Sequence, residues 1–211
     1  MSRHFFSDGA FQLAKNSVFA TIRDIHRNSQ VYLLAGSALG ILAYALLAKR
    51  HPMLAPHKFL FILLTFALGP GLLVQIMKIV FSRPRPGFIL EFGGDLHFSP
   101  AWHLGGECTR YCSFPSGESA VAIAMLSVLV FFPIAWRWLA ALVLVPLMVF
   151  VSFNRVMLGA HFLSDVTLAW FVMIPLMLWI WSVLSRNRDR IDDAVWKAGE
   201  KMRARLHGTR S

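Results

Sequence analysis

Lys78, Arg85 and Arg155 are cations at the edges of strongly apolar stretches, where charge is costly and usually functional. Arginine forks match phosphate oxygens bidentately, and lysine adds a compact point charge. Pro115-Ser116-Gly117 precedes an expected helix start. Free backbone N–H groups and the helix dipole favour a bound phosphate there, and glycine permits close backbone approach. His161 and Asp165 are four apart, so on one helix they share a face. A carboxylate beside an imidazole fixes its tautomer and raises its basicity, which suits a histidine nucleophile. Of the eleven acidic residues, only Glu118 and Asp165 abut or interrupt apolar stretches.

These residues need elements to position them, and the composition says which kind. Of 211 residues, 56% are hydrophobic and 15% charged, with 21 Lys+Arg against 11 Asp+Glu and a formal net of +10. Soluble domains average about 45–50% apolar and about 25% charged. Such a balance excludes a disordered chain and argues against a soluble nucleic-acid binder. It fits an all-α polytopic membrane bundle. Five stretches lack Asp, Glu, Lys and Arg over about the length of a span: 29–48, 59–77, 119–136, 138–154 and 166–185. Pro70, Pro133, Pro146 and Pro175 fall inside them, which membrane helices tolerate. By alternation, Lys49, Arg50, Lys58, Arg137 and the basic tail from Arg186 to Arg210 share one face, expected to be cytoplasmic. Lys78, Arg85, Glu118, Arg155, His161 and Asp165 then fall on the opposite face.

Residues 1–28 read as an interfacial amphipathic helix, with a sixth span as the competing reading. Residues 29–185 form the membrane-embedded domain. Residues 186–211 form a basic cytoplasmic tail, either an amphipathic helix on anionic lipid or a solvated extension.

Lys78-x6-Arg85-Pro86, Pro115-Ser116-Gly117 and Arg155-x5-His161-x3-Asp165, in this order, resemble the type-2 phosphatidic acid phosphatase family, which shares an all-helical core with vanadium haloperoxidases. Arg83-Pro84 lacks the family spacing and reads as a decoy. The resemblance implies a metal-independent lipid phosphatase without a cofactor, acting at the outer face of a membrane on a phosphorylated lipid. It implies that His161 attacks phosphorus and becomes phosphohistidine, that Asp165 orients it, and that Lys78, Arg85, Arg155, Ser116 and Gly117 hold the phosphoryl oxygens. No protein partner follows from it. A lipid phosphotransferase and a non-catalytic lipid-phosphate binder are the alternatives.

Two positions depart from the family pattern. Glu118 stands where histidine usually follows Pro-Ser-Gly, and Asn154 stands where serine usually precedes the third-motif arginine. Either Glu118 replaces histidine as proton donor, or the leaving group is itself a phosphate, as in undecaprenyl diphosphate, and needs little acid help. The segment from Cys108 to Glu118 is similar to bacterial members with glutamate here, some of which resemble lipid A phosphatases.

Residues 87–114 form a long loop between the first two motifs, a natural place for headgroup selection. His97 and His103 in it read as surface residues. Cys108 and Cys112 are the only cysteines. A disulfide needs an oxidising compartment and Cα atoms about 4.4–6.8 Å apart, so both redox forms stay open. A zinc site of His103, Cys108 and Cys112 fits no common spacing, and no metal is expected.

Overall fold

The computed structural model describes residues 2–46 and 50–208, with side chains to residue 205. Lys49, Arg210 and the end of the first expected span lie outside the described residues. The architecture is an all-α membrane bundle, and the protein is an integral membrane protein. Helix α1 runs Ser17–Leu46, α2 Pro56–Phe66, α3 Val74–Phe81, α4 Gly117–Met125, α5 Ile134–Met157, α6 Leu163–Arg186 and α7 Arg188–Gly208. Among the described residues, four helical stretches are long and apolar enough to cross a membrane: Ser17–Leu46, Pro52–Phe88, Ile134–Met157 and Leu163–Arg186.

The third expected span is shorter than its apolar run. Helix α4 and a 3-10 continuation end at Phe131, and Pro133 caps α5 instead of lying inside a helix. Proline lacks the N–H an interior position needs, so it suits a helix start. The turn therefore precedes Arg137, which sits in the first turns of α5. Pro146 and Pro175 do lie within α5 and α6. Pro70 widens the second span into a π segment, Ala67–Leu73, between α2 and α3. Gly69 in that segment packs on Met173 of α6, close enough that a Cβ there would collide with the thioether.

The expected boundary at residue 28 falls inside α1. Residues 17–28 are the first turns of one 30-residue helix that continues into the first expected span. Before it, a two-strand hairpin (Phe6–Ser7 with Ala10–Phe11) packs Phe6 and Phe11 on Phe92 of the long loop. The tail is helical, and α7 packs against protein. Arg50 pairs with Asp193 at 2.6 Å, and Asp192 accepts from the His57 backbone N–H at 3.0 Å. Trp196 meets the Tyr44 ring, and Gly199 lies against the Ala45 carbonyl.

The bundle core joins Ile62 and Phe66 of α2, Val74 of α3, Ala120, Ile123 and Ala124 of α4, and Ala169 and Met173 of α6. Alanines on α4 let it pass through the centre of the bundle. Helices α1, α4 and α6 begin, and α3 and α5 end, at the same end of the bundle. That shared end holds the candidate site.

Candidate active site

Lys78, Arg85, Gly117, Glu118, Arg155 and His161 line one cavity of about 800 Å³. Three separate chain segments thus converge on the one face where alternation of the spans put them. Lys78 projects from the last turns of α3, and a Cβ on Gly117 would stand 3.4 Å from its Nζ. The ammonium therefore lies beside the first residue of α4, where helix N–H groups are unpaired. Arg85 Nε, Arg155 Nε and Arg155 Nη1 are buried without a hydrogen-bond partner among the described residues. Buried donors are normally paired, so unpaired cationic donors lining a cavity are a cradle for an anion.

Local structure sets His161 against Arg155. Helix α5 ends at Met157, and Gly159 turns the chain at φ +66°, a conformation that favours glycine. The N–H groups of Ala160 and His161 then both donate to the Arg155 carbonyl, at 3.1 and 3.2 Å. The five-residue gap between Arg155 and His161 is the length of this turn. His161 and Asp165 do not share a helix, contrary to the sequence reading. His161 precedes α6, and Asp165 lies in its first turn, accepting from the Phe162 N–H at 2.8 Å.

His161 is 2% exposed. Its Nδ1 meets the Ser113 carbonyl at 2.8 Å. A carbonyl only accepts, so Nδ1 carries the proton and Nε2 keeps its lone pair. Asp165 Oδ2 stands 3.7 Å from Nδ1, beyond hydrogen-bond range but close enough to act as a counter-charge. Burial holds the imidazole below the usual histidine range, against the opposing pull of Asp165.

Ser116 and Asp165 stand behind the cavity wall. The Ser116 hydroxyl caps α4, accepting from the Ser119 N–H at 3.3 Å, and its backbone N–H donates to the Asp165 carbonyl at 3.0 Å. Asp165 Oδ1 takes a 2.5 Å bond from Arg83 Nη1. Arg83 does not line the cavity, as its spacing predicts, but it supports the residues behind the wall. It is 3% exposed, also bonds the Ser99 carbonyl and Ser164 hydroxyl, and lies 4.2 Å over the Phe162 ring. The sequence signal was the repeated Arg-Pro: Pro84 and Pro86 hold the chain extended, so arginines two apart point to opposite sides.

Two further residues come from α1 and escaped the sequence reading. Arg27 Nε donates to Glu118 Oε1 at 2.5 Å, and His26 Nε2 meets the Glu118 carbonyl at 3.3 Å. On the other wall, the Ser113 N–H and hydroxyl donate to the Arg83 and Pro84 carbonyls at 2.7 and 3.0 Å, which holds the carbonyl that faces His161. Val31 and Leu34 of α1 and Leu63 and Phe66 of α2 complete the cavity with an apolar wall.

Cys108 and Cys112 form a disulfide with Cα atoms 5.6 Å apart, so both thiols of the considered zinc site are used. His97 pairs with Glu107 at 2.9 Å on the surface. Neither His97 nor His103 lines the cavity.

Fold and site define an all-helical membrane protein with a buried histidine facing a cationic cradle. The PAP2 superfamily matches residues 58–189, and the chain belongs to that superfamily. It is 42% identical over 107 residues to a lipid A 4'-phosphatase of Rhizobium leguminosarum, covering 50% of this chain and 46% of that protein. It is 42% identical over 104 residues to a lipid A 4'-phosphatase of Rhizobium etli, covering 49% and 40%. A lipid A 4'-phosphatase of Francisella tularensis subsp. novicida is 27% identical over 135 residues, covering 61% and 59%. The chain spans about half the length of the curated relatives it matches. No solved structure matches it.

Proposed function

We propose that this protein is a membrane lipid phosphatase that removes a phosphate monoester from lipid A or a related phosphorylated lipid, in a bacterial inner membrane, at the face away from the basic end. One observation carries the reading: His161 and the unpaired Arg85 and Arg155 donors share a cavity that the apolar side chains of Val31, Leu34, Leu63 and Phe66 also line. The polar part suits a phosphoryl group, and the apolar part suits a lipid chain.

His161 Nε2 attacks phosphorus, and the P–O ester bond breaks as the N–P bond forms. The Nδ1 proton stays on the imidazole, held by the Ser113 carbonyl, and Asp165 balances the positive charge that develops. Lys78, Arg85, Arg155 and the Gly117 N–H meet the phosphoryl oxygens, while Ser116 keeps the α4 start in place. Water then attacks phosphorus, the N–P bond breaks, and phosphate leaves. The lipid A choice rests on the names of the relatives.

The test is phosphate release by purified protein from lipid A, undecaprenyl diphosphate, phosphatidylglycerol phosphate and phosphatidic acid, with His161→Ala as the blank. Release from lipid A that vanishes in the blank is expected. Product analysis with labelled lipid A and an acceptor lipid separates hydrolysis from phosphotransfer.

A further inference from the structure

Both positions that depart from the family pattern touch α1. Glu118 holds Arg27 and meets His26, and Asn154 Nδ2 donates to the Phe19 carbonyl at 3.2 Å. Helix α1 is thereby pinned beside the cradle at three points over two turns. Arg27 and Glu118 both line the site cavity. The pair uses Arg27 Nε, so its two Nη groups have no hydrogen-bond partner among the described residues.

A burial gradient orders the site. The nucleophile is 2% exposed, the Glu118 side chain 16% and the Arg27 side chain 49%. The phosphoryl group must go inward to reach His161, so a bulky headgroup stays outward. The ester oxygen between them lies on the side where Arg27 stands. A carboxyl oxygen that accepts a guanidinium N–H at the start of a helix holds that guanidinium in place.

We infer that Arg27 is the residue that stabilises the leaving oxygen, and that Glu118 is a positioning residue that holds Arg27 there. This rests on the phosphatase reading. When the P–O bond breaks, its electron pair stays on the ester oxygen. Arg27 Nη donors meet that charge, and solvent water supplies the proton. The substrate class this favours is a phosphate ester of a poor leaving group, such as a sugar hydroxyl, because only a poor leaving group needs a fixed cation.

The experiment measures kcat and KM of the full chain in detergent on lipid A and on undecaprenyl diphosphate, for Arg27→Ala, Arg27→Lys, Glu118→Gln and the double variant Arg27→Ala/Glu118→Gln. Arg27→Ala and Glu118→Gln are each expected to lower kcat on lipid A about 100-fold with little change in KM. The double variant should be no worse than Arg27→Ala, because the two act as one unit. Arg27→Lys should keep part of the rate. On the diphosphate, whose leaving group is itself a phosphate, the losses should shrink to about tenfold or less. An Arg27→Ala variant near wild type beside an inactive Glu118→Gln overturns the inference and makes Glu118 the proton donor. Equal losses on both substrates overturn it too, because they mark a packing role. Wild-type turnover that survives His161→Ala would end the phosphatase reading itself, whereas turnover that needs His161 but ignores Arg27 and Glu118 ends only this inference.

Discussion

The two walls of the cavity are built on different principles. The nucleophile wall is buried and cross-tied: Arg83 holds Asp165, Ser113 holds His161, and the Gly159 turn locks His161 to Arg155. The α1 wall faces outward, and the ion pair it brings to the cavity, Arg27 with Glu118, is partly exposed. The difference teaches where precision is needed. An attacking nitrogen must be held in line within a fraction of an ångström, while a headgroup must enter and leave.

Breaking the buried wall should do the most damage. Arg83→Ala leaves the Asp165 carboxyl, at 0% exposure, without its guanidinium partner, so about 3–5 kcal/mol of stability should be lost, read as a fall in melting temperature. Activity should fall with it, and an unchanged melting temperature would show that the walls do not differ as described. Arg155→Ala comes next. It removes two unpaired donors from the cradle and should lower kcat by about 10²–10³ with the fold retained, checked by kinetics beside circular dichroism. Arg27→Ala should leave the melting temperature nearly unchanged, since exposed pairs contribute only about 0–1 kcal/mol.

The pH profile sharpens the same comparison. The reactive form of His161 is the neutral imidazole, and burial lowers its pKa. Activity should therefore hold as pH falls through the ordinary histidine value of about 6.5 and drop only below it. An acid limb of kcat/KM above that value would contradict the burial argument. The smallest effect is expected from Cys112→Ser. The disulfide closes a short loop, and Ser113 is held separately by the Arg83 and Pro84 carbonyls, so activity should change by less than about threefold.

The legible part of the site was the part set by local spacing. Lys78, Arg85, Pro-Ser-Gly and Arg155-x5-His161 could be read because each motif lies on one segment at a helix end. Apolar runs likewise located the helices, although Phe132-Pro133 moved one turn away from Arg137. Partners that meet only across the bundle were hidden. Arg83 and Asp165 are 82 residues apart, and Arg27 and Glu118 are 91. No periodicity records such a meeting. Arg27 lies in the segment read as an interfacial amphipathic helix, and it marks the end of α1 that enters the site. The packing of the tail was hidden for the same reason: Asp192 and Asp193 find His57 and Arg50 across the chain.

The central claim is that His161 is the nucleophile. The direct measurement is to incubate purified protein with lipid A radiolabelled in its phosphate, quench in base and look for label on the protein. The account predicts an acid-labile, base-stable label at His161 that is absent from His161→Ala, together with loss of phosphate release in that variant. Phosphate release that continues in His161→Ala would contradict it.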